Sequence, residues 1–285
     1  MSKIYKLLDI LKWSTEFLKN KEIVNARLDA EYLIASVLNL KRLDLYLNYE
    51  KPLSIEEREE IKKLLIKRGK DKIPLQYILG YEEFYGYKFE VNENVLIPRP
   101  ETELLVEQCL ENIKGIEEPK ILDIGTGSGA IAISIAKQRK DSKVLAVDIE
   151  EKALEVANKN KIRNNAENVK FIKSDIFEKV EYSKFDLIVS NPPYIKEEEY
   201  NELMTEVKEH EPKSALLAEE NGLYFYINIT KDAKNHLKKG GVLAFEIGYN
   251  QRKEVKEILL KNGYEKIRVI KDYSKNDRII IGEKI

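Results

Sequence analysis

The sequence predicts an α/β protein in which a mainly parallel sheet, with an antiparallel strand at its edge, follows a small all-helical amino-terminal domain. Apolar residues in the first 40 positions recur at helical spacing, whereas short apolar runs alternate with helical patterns after residue 102. The last two apolar runs, near 267–270 and 278–281, lie too close together for a helical crossover and should pair antiparallel.

The helical domain is expected over residues 1–75. Leu7 and Leu11 begin its apolar periodicity, and Ser54–Glu57 has the pattern of a capping box. Gly69 then fits the left-handed residue with which many helices end. This domain holds 16 Lys+Arg and 12 Asp+Glu, so it carries +4 in a chain whose net charge is −1.

Residues 76–97 are predicted to be a linker that contains a β-hairpin over Glu83–Val95, because aromatic and β-branched residues alternate there with glycines. Residues 98–285 are predicted to form the sheet domain. Its strands are expected at 120–124, 143–148, 169–174, 185–190 and 241–248, and its helices after Thr102, from Ser128, from Glu151 and from Leu223. This alternation indicates βαβ units and helices on both faces of a parallel sheet.

Composition argues against several classes of function. The 285 residues include 49 Lys+Arg and 50 Asp+Glu, so we expect no stable binding to nucleic acid, for which a domain pI above about 9 is typical. The single Cys109 allows no intramolecular disulfide, and the charged amino-terminal segment has neither a signal-peptide core nor a membrane span. We expect a cytoplasmic enzyme that is not bound to membranes. His210 and His236 lack neighbours at metal-ligand spacing, so no metal site is expected.

A glycine loop, Asp123–Gly129, lies where the first strand of the sheet turns into its helix. Open α/β sheets bind ligands at this crevice, and glycines let the backbone pass close to a ligand. The spacing G-x-G-x-G differs from the dinucleotide pattern G-x-G-x-x-G, and a carboxylate at Asp123 would repel a pyrophosphate. The loop therefore suits a cationic ligand better.

Carboxylates end the next two strands. Asp148 can accept hydrogen bonds from both hydroxyls of a ribose, and Asp175 can receive an adenine amino group while Ile176 packs on the ring. The predicted cofactor-binding residues are Asp123, Gly125, Thr126, Gly127, Ser128, Gly129, Asp148, Asp175, Ile176 and Asn191.

The tetrapeptide Asn191-Pro192-Pro193-Tyr194 follows the fourth strand directly, beside the same crevice. Two prolines fix φ and remove two N–H donors, so the loop is a rigid display of acceptors. The Asn191 side-chain oxygen and the Pro192 carbonyl can take both hydrogens of a planar NH2 group, and Tyr194 can pack across its face.

This arrangement answers a chemical need, because an amide or aromatic amine delocalises its lone pair and is a poor nucleophile. Accepting both hydrogens and fixing the nitrogen favours its attack on an electrophilic methyl group. We identify no side chain that is necessary as a general base. The predicted catalytic residues are Asn191, Pro192 and Tyr194; the predicted substrate-binding residues are Asn191, Pro192, Pro193, Tyr194 and Arg99. Arg99 lies between two prolines, where it can either steer the substrate or lock the linker.

With these motifs the chain resembles the HemK/PrmC family, the release-factor glutamine N5-methyltransferases. The Asn-Pro-Pro-Tyr loop alone is shared with adenine-N6 DNA methyltransferases, so it specifies only an NH2 acceptor. The resemblance extends over nearly the whole chain through 26–31, 74–80, 83–86, 97–103, 123–129, 191–194, 211–212 and 246–248.

The resemblance implies a Rossmann-like methyltransferase that uses S-adenosylmethionine to methylate the glutamine of the Gly-Gly-Gln motif in bacterial peptide chain release factors. It also implies that the loop Gly125–Gly129 contacts the cofactor with Asp148, Ile176 and Asn191, and that the helical domain helps to hold the release factor. Residue 176 is often larger in this family, which leaves the packing of adenine open.

Other functions remain open from the sequence. The alternatives are a glutamine methyltransferase of a ribosomal protein, an adenine-N6 DNA methyltransferase and a non-catalytic cofactor-binding module. A DNA enzyme would need a basic base-reading domain, which a helical domain of net charge +4 hardly provides. A non-catalytic module would leave the acceptor-rich Asn191–Tyr194 loop unexplained. We expect a monomer whose partner is a release factor.

Overall fold

The chain divides into two compact units in the computed structural model, which describes residues 5–181 and 184–285. The first unit runs up to Gly80 and also includes Thr205–His210. The second comprises Tyr81–Met204 and Glu211–Ile285. That a segment from the second half of the chain belongs with the helical unit was not foreseen from the sequence.

Five successive helices and the short segment Thr205–His210 make up the first unit. The five are α1 (Leu7–Lys19), α2 (Ala26–Leu38), α3 (Asp44–Leu47), α4 (Ile55–Gly69) and α5 (Leu75–Leu79). Their apolar faces meet in one core, in which Leu7, Leu18, Leu33, Ile61 and Leu65 are all fully or almost fully buried.

Of the two predictions about the ends of α4, one is confirmed and one is wrong. Ser54 Oγ accepts from Glu57 N at 3.1 Å and Glu57 Oε2 accepts from Ser54 N at 2.8 Å, which is the predicted capping box. Gly69, however, is the last residue of the helix and is not left-handed. A Cβ there would lie 2.8 Å from Cε1 of Phe17, so glycine is needed for the close approach of α4 to α1.

Among the described residues, the second unit contains nine strands and seven α-helices, and an eighth α-helix from this part of the chain belongs to the helical unit. The strands are β1 (Tyr81–Phe84), β2 (Tyr87–Glu90), β3 (Lys120–Ile124), β4 (Lys143–Asp148), β5 (Val169–Lys173), β6 (Phe185–Ser190), β7 (Leu237–Glu246), β8 (Tyr264–Lys271) and β9 (Asp277–Lys284). The helices are α6 (Pro100–Asn112), α7 (Ala130–Gln138), α8 (Glu151–Arg163), α9 (Glu197–Asn201), α10 (Thr205–His210, in the helical unit), α11 (Glu219–Gly222), α12 (Tyr224–His236) and α13 (Arg252–Lys261).

The main sheet has the order β5-β4-β3-β6-β7-β9-β8. Neighbours from β5 to β7 are parallel, whereas β9 is antiparallel to both β7 and β8. The predicted fold class is therefore confirmed, with the correction that the antiparallel strand lies one place inside the edge. The hairpin β1–β2 covers Tyr81–Glu90 and so begins earlier than the predicted Glu83–Val95.

Apolar layers cover both faces of this sheet. On one face, Leu105, Ile131 and Ile135 of α6 and α7 pack with strand residues such as Ala146. On the other face, the layer includes Tyr226, Ile229, Val255 and Leu259 of α12 and α13. The carboxyl ends of the parallel strands are thereby held in fixed positions, and open α/β sheets bind ligands at this edge. Among the described residues, every helix is too short or too polar to cross a membrane.

Candidate active site

Four adjacent parallel strands bring the predicted site segments to one edge of the sheet. The register pairs Ile124 with Val147 and Ser190, and Asp148 with Lys173, so the segments that follow these strands are neighbours. They line one cavity. The predicted site residues in its wall are Gly125, Gly127, Asp148, Asp175, Ile176, Asn191, Pro192 and Pro193.

The glycine loop is tied to the strand beside it. The backbone N–H groups of Gly125 and Thr126 both donate to the carbonyl of Val147, at 2.9 and 3.0 Å. Gly129, with φ of 82°, ends the loop where α7 approaches the sheet. A Cβ on Gly129 would lie 3.0 Å from Ile133 and 3.1 Å from Phe171, so any other residue here would be crowded as well as strained by the positive φ.

Part of the glycine loop lies behind the cavity wall. Asp123 is fully buried, and its Oδ2 accepts a 2.6 Å hydrogen bond from Thr126 Oγ1. Burial raises the pKa of Asp123 to about 7. Asp123, Thr126, Ser128 and Gly129 do not line the cavity. They support the loop, and a direct contact between any of them and a cofactor stays a prediction.

Asp148 lies at the end of β4 with both carboxylate oxygens oriented by the backbone. Oδ2 accepts from Gly127 N at 2.8 Å and Oδ1 accepts from Glu150 N at 3.0 Å. Burial raises the pKa of this carboxyl. Because each carboxylate oxygen has a second lone pair, Asp148 can still accept two hydrogen bonds from a ligand in the cavity.

The loop after β5 contributes Asp175 and Ile176 in a strained conformation. Ile176 has a φ of 44°, which is rare for a β-branched residue. Ser174 stabilises the turn, since its Oγ donates to the Ile176 carbonyl at 3.2 Å and accepts from Lys179 N at 2.9 Å. Such strain is typical of functional sites, and here it places Ile176 in the cavity wall.

Asn191 has its side-chain nitrogen and oxygen in different situations. Its Nδ2 donates to Thr102 Oγ1 at 3.2 Å, and Thr102 Oγ1 in turn donates to Glu246 Oε2 at 2.7 Å. Within the described part of the chain, no group donates to Asn191 Oδ1. Thr102 therefore engages one N–H of the Asn191 amide, while the amide oxygen is an acceptor without a partner in the described part of the chain.

Tyr194 is fixed through its backbone. Gln251 Nε2 donates to the Tyr194 carbonyl at 3.0 Å and to the Gly222 carbonyl at 3.3 Å. Gly222 has a φ of 81°, and a Cβ there would lie 2.4 Å from the Tyr194 oxygen. The Tyr194 ring packs against the core, and burial raises its pKa to about 12. Its contact with a substrate stays a prediction.

Arg99 forms an ion pair within the second unit. Its Nη2 lies 2.5 Å from Glu211 Oε1, and the backbone N–H of Ile97 donates to Glu211 Oε2 at 3.2 Å. Glu211 is buried, so this pair holds the segment before α6 in place. This ion pair agrees with the linker-locking interpretation of Arg99, and both that role and a role in substrate binding stay predictions.

Sequence reasoning missed three buried polar residues that contact Asn191, Tyr194 or each other: Thr102, Glu246 and Gln251. The sequence assigned Thr102 and Glu246 only to a helix start and to family motifs, and it gave no role to Gln251. A polar residue inside the apolar run GVLAFEIG was the available signal at Glu246, because a buried carboxyl needs a hydrogen-bond partner. Ile149 and Phe225, which line the cavity, were also missed.

Comparisons with known proteins agree with this geometry. The chain matches a family model described as "Methyltransferase small domain" over residues 100–277 and one described as "PrmC N-terminal domain" over residues 9–80. It is 49% identical over 278 residues to the "Release factor glutamine methyltransferase" of Fusobacterium nucleatum, covering 97% of this chain and 78% of the relative. The protein of the same name from Chlorobaculum tepidum is 41% identical over 286 residues, covering 97% and 96%.

A solved structure supports the fold of the second unit. The crystal structure of a methyltransferase from Pyrococcus furiosus superposes with a TM-score of 0.52 and 25% sequence identity, covering 70% of this chain and 89% of that one. The extent of this match confirms the predicted methyltransferase architecture.

Proposed function

The chain belongs to the family of release factor glutamine methyltransferases, and we propose that it methylates the side-chain nitrogen N5 of the glutamine in the Gly-Gly-Gln motif of bacterial peptide chain release factors. It is an S-adenosylmethionine-dependent protein-glutamine methyltransferase. The observation that carries the site assignment is Asn191, whose side-chain nitrogen donates to Thr102 and whose acceptor oxygen is unpaired among the described residues.

The charge of the cavity suits S-adenosylmethionine. Three carboxylates, those of Asp148, Glu150 and Asp175, line it, and its described lining includes no Lys or Arg, which suits a cationic ligand better than a phosphate. Asp148 would hold the ribose and Ile176 the adenine. When bound, S-adenosylmethionine supplies an electrophilic methyl group on its sulfonium.

The protein's part in the reaction is to position the amide nitrogen. Asn191 Oδ1 and the Pro192 carbonyl would accept the two N–H hydrogens, which weakens delocalisation of the lone pair and aims the nitrogen. Held by these two acceptors, the amide nitrogen would face the methyl group that the bound cofactor supplies, and on methylation it would release one proton to water. Pro193 keeps the loop rigid, because its ring fixes φ and removes a donor.

The function is tested by incubating the purified protein with labelled S-adenosylmethionine and a release factor. We expect label on the release factor that carries Gly-Gly-Gln and none on a variant in which that glutamine is replaced by glutamate. Equal labelling of both would refute the assigned residue. Labelling of a ribosomal protein or duplex DNA, with the release factor unlabelled, would instead establish one of the alternative functions.

We also propose that the helical unit holds the release factor. One side of this unit carries Leu43 and Leu47, whose exposed fractions of 68% and 85% are high for leucine. Nearby on α2, the buried Glu31 orders a polar surface: its carboxylate accepts from Arg27 at 3.0 Å, Arg42 at 2.8 Å and the Tyr46 hydroxyl at 2.7 Å. Exposed apolar side chains beside ordered arginines are typical of protein interfaces.

The double variant Leu43→Asp, Leu47→Asp should raise the KM for a whole release factor at least about tenfold, because charged groups cannot bury against the partner. Turnover of a short Gly-Gly-Gln peptide should be unchanged, because such a peptide reaches only the active site. Steady-state kinetics with both substrates measures the difference. The control is the double variant Ile162→Asp, Leu260→Asp, which adds the same two charges at apolar residues of α8 and α13 that are 76% and 53% exposed; equal effects of the two double variants would argue against the docking role.

We further propose that the enzyme acts as a cytoplasmic monomer without stable binding to nucleic acid. The support is its near-zero net charge and a single cysteine, which is buried.

A further inference from the structure

Two buried residues lie directly behind Asn191. Thr102 is 4% exposed and Glu246 is 2% exposed. They form a chain of hydrogen bonds in which Asn191 Nδ2 donates to Thr102 at 3.2 Å and Thr102 donates to Glu246 at 2.7 Å. Of this chain only Asn191 lines the cavity, so Thr102 and Glu246 can act on a substrate only through it.

The fold brings these residues together from three separate elements. Ser190 pairs with Phe245 across β6 and β7, so the next residues, Asn191 and Glu246, emerge side by side. Thr102 lies in the first turn of α6, where its N–H donates to the Arg99 carbonyl at 3.0 Å. The Glu246 backbone is also held, because the Tyr226 hydroxyl donates to its carbonyl at 3.0 Å.

Glu246 fixes the direction of the hydrogen bonds that connect it to Thr102 and Asn191. An ionised carboxylate can only accept, so the single hydrogen of the Thr102 hydroxyl must point at Glu246. The Thr102 oxygen then has only lone pairs to offer to Asn191. An amide that turned its oxygen towards Thr102 would set two acceptors against each other, and its NH2 group would face the NH2 group of the glutamine.

We propose that Thr102 and Glu246 are positioning residues that set the direction of the Asn191 amide, so that its oxygen rather than its nitrogen meets the glutamine. This inference rests on the proposed function, because it explains how one acceptor is selected for an NH2 substrate. Burial raises the pKa of Glu246 to about 7. The hydrogen bond from Thr102 and the charge of Arg278 lower this pKa, but their effect is smaller than that of burial. Kinetics are therefore best measured at about pH 8, where the carboxylate form prevails.

The test is Thr102→Val, which keeps the shape of the side chain and removes its hydroxyl. We expect kcat to fall on the order of tenfold to 100-fold with little change in the KM values, because misplacement of a reacting group affects the rate of chemistry. Thr102→Ser retains the hydroxyl and should restore most of the rate. The control is Thr230→Val, since Thr230 is equally buried and its hydroxyl has no partner among the described residues.

A second readout does not depend on activity. The side-chain amide signal of Asn191 in an NMR spectrum, identified by its loss in Asn191→Ala, should shift in Thr102→Val and stay close to its place in Thr102→Ser. Calorimetry should show unchanged binding of S-adenosylmethionine. If Thr102→Val lowers the unfolding midpoint, Thr102→Ala, which places no methyl group against the carboxylate, replaces it with the same expected loss of rate.

The positioning role is refuted if Thr102→Val keeps its kcat within twofold of wild type, or if Thr102→Ser loses as much rate as Thr102→Val. Both results presuppose a wild-type enzyme that labels the glutamine of a release factor. A wild-type protein that labels no release factor would contradict the proposed function itself, and the NMR comparison would then still decide whether Thr102 orients the Asn191 amide.

Discussion

Replacing Asn191 with alanine is expected to lower kcat on the order of 100-fold or more while leaving the affinity for S-adenosylmethionine largely intact. The side-chain oxygen is the acceptor that would orient the glutamine NH2 group, and alanine offers none. The rest of the loop should keep its place, because Pro192 and Pro193 restrict the backbone and Gln251 holds the Tyr194 carbonyl at 3.0 Å. The loss should therefore appear in chemistry rather than in folding.

Single-turnover kinetics with labelled cofactor measures this effect, and calorimetry measures cofactor binding separately. Asn158→Ala is the matched control, because Asn158 lies on α8, is exposed and does not line the cavity. Asp148→Ala is the contrasting variant: it should weaken cofactor binding, since Asp148 would hold the ribose. If Asn191→Ala abolished cofactor binding as Asp148→Ala does, the main role of Asn191 would be to bind the cofactor.

The proposed cofactor side of the site was largely predictable from the sequence. Its residues follow directly after β3, β4, β5 and β6, and parallel neighbours deliver such residues to the same edge of the sheet. The predicted positions of Asp148, Asp175 and Asn191 in one cavity wall follow from this geometry alone. Strands rich in Ile, Val and Leu were also easy to recognise, because a strand buried on both faces is apolar throughout.

The direction of a side chain at a strand end was harder to predict. Asp123 is the first residue of the glycine loop and was assigned to the cofactor, but it is also part of β3, and successive strand residues point to opposite faces of the sheet. Asp123 lies on the face covered by α6 and α7. There the pKa of Cys109 is raised mainly by burial of the thiol and further by the charge of Asp123. Its hydrogen bond to Thr126 serves the turn, so a motif position alone did not reveal whether the residue meets the ligand.

Contacts between residues that are far apart in the sequence could not be predicted from it. Thr102, Asn191 and Glu246 come from α6, the loop after β6 and the end of β7, and no local pattern connects them. The same holds for the helical unit, where Thr205–His210 joins helices that end more than a hundred residues earlier. Gly69 is a further example. The sequence indicated that it ends a helix, but the structure shows that it leaves room for Phe17.

Arg68 shows how strongly such an unforeseen contact can matter for stability. It is buried on α4, where its Nε donates to Asp29 Oδ2 at 2.6 Å and its Nη1 pairs with Glu206. Arg68→Ala should lower the free energy of unfolding of the helical unit by about 3–5 kcal/mol, because it leaves the buried Asp29 carboxyl without its cation. Burial already raises the pKa of Asp29, which shows that its charged form is costly here.

Tryptophan fluorescence in a denaturant titration can measure this loss for the helical unit alone. Trp13 is the only tryptophan of the chain and stacks on Phe17 within α1, so its signal reports on that unit. Lys63→Ala is the control on the same helix: its pair with Glu60 is exposed and should contribute at most about 1 kcal/mol. Adding Asp29→Ala to Arg68→Ala should recover part of the loss, because the unpaired carboxyl is then gone. A loss no larger than that of Lys63→Ala would mean that water or another cation compensates Asp29, and that the buried pair does not hold α4 against α2.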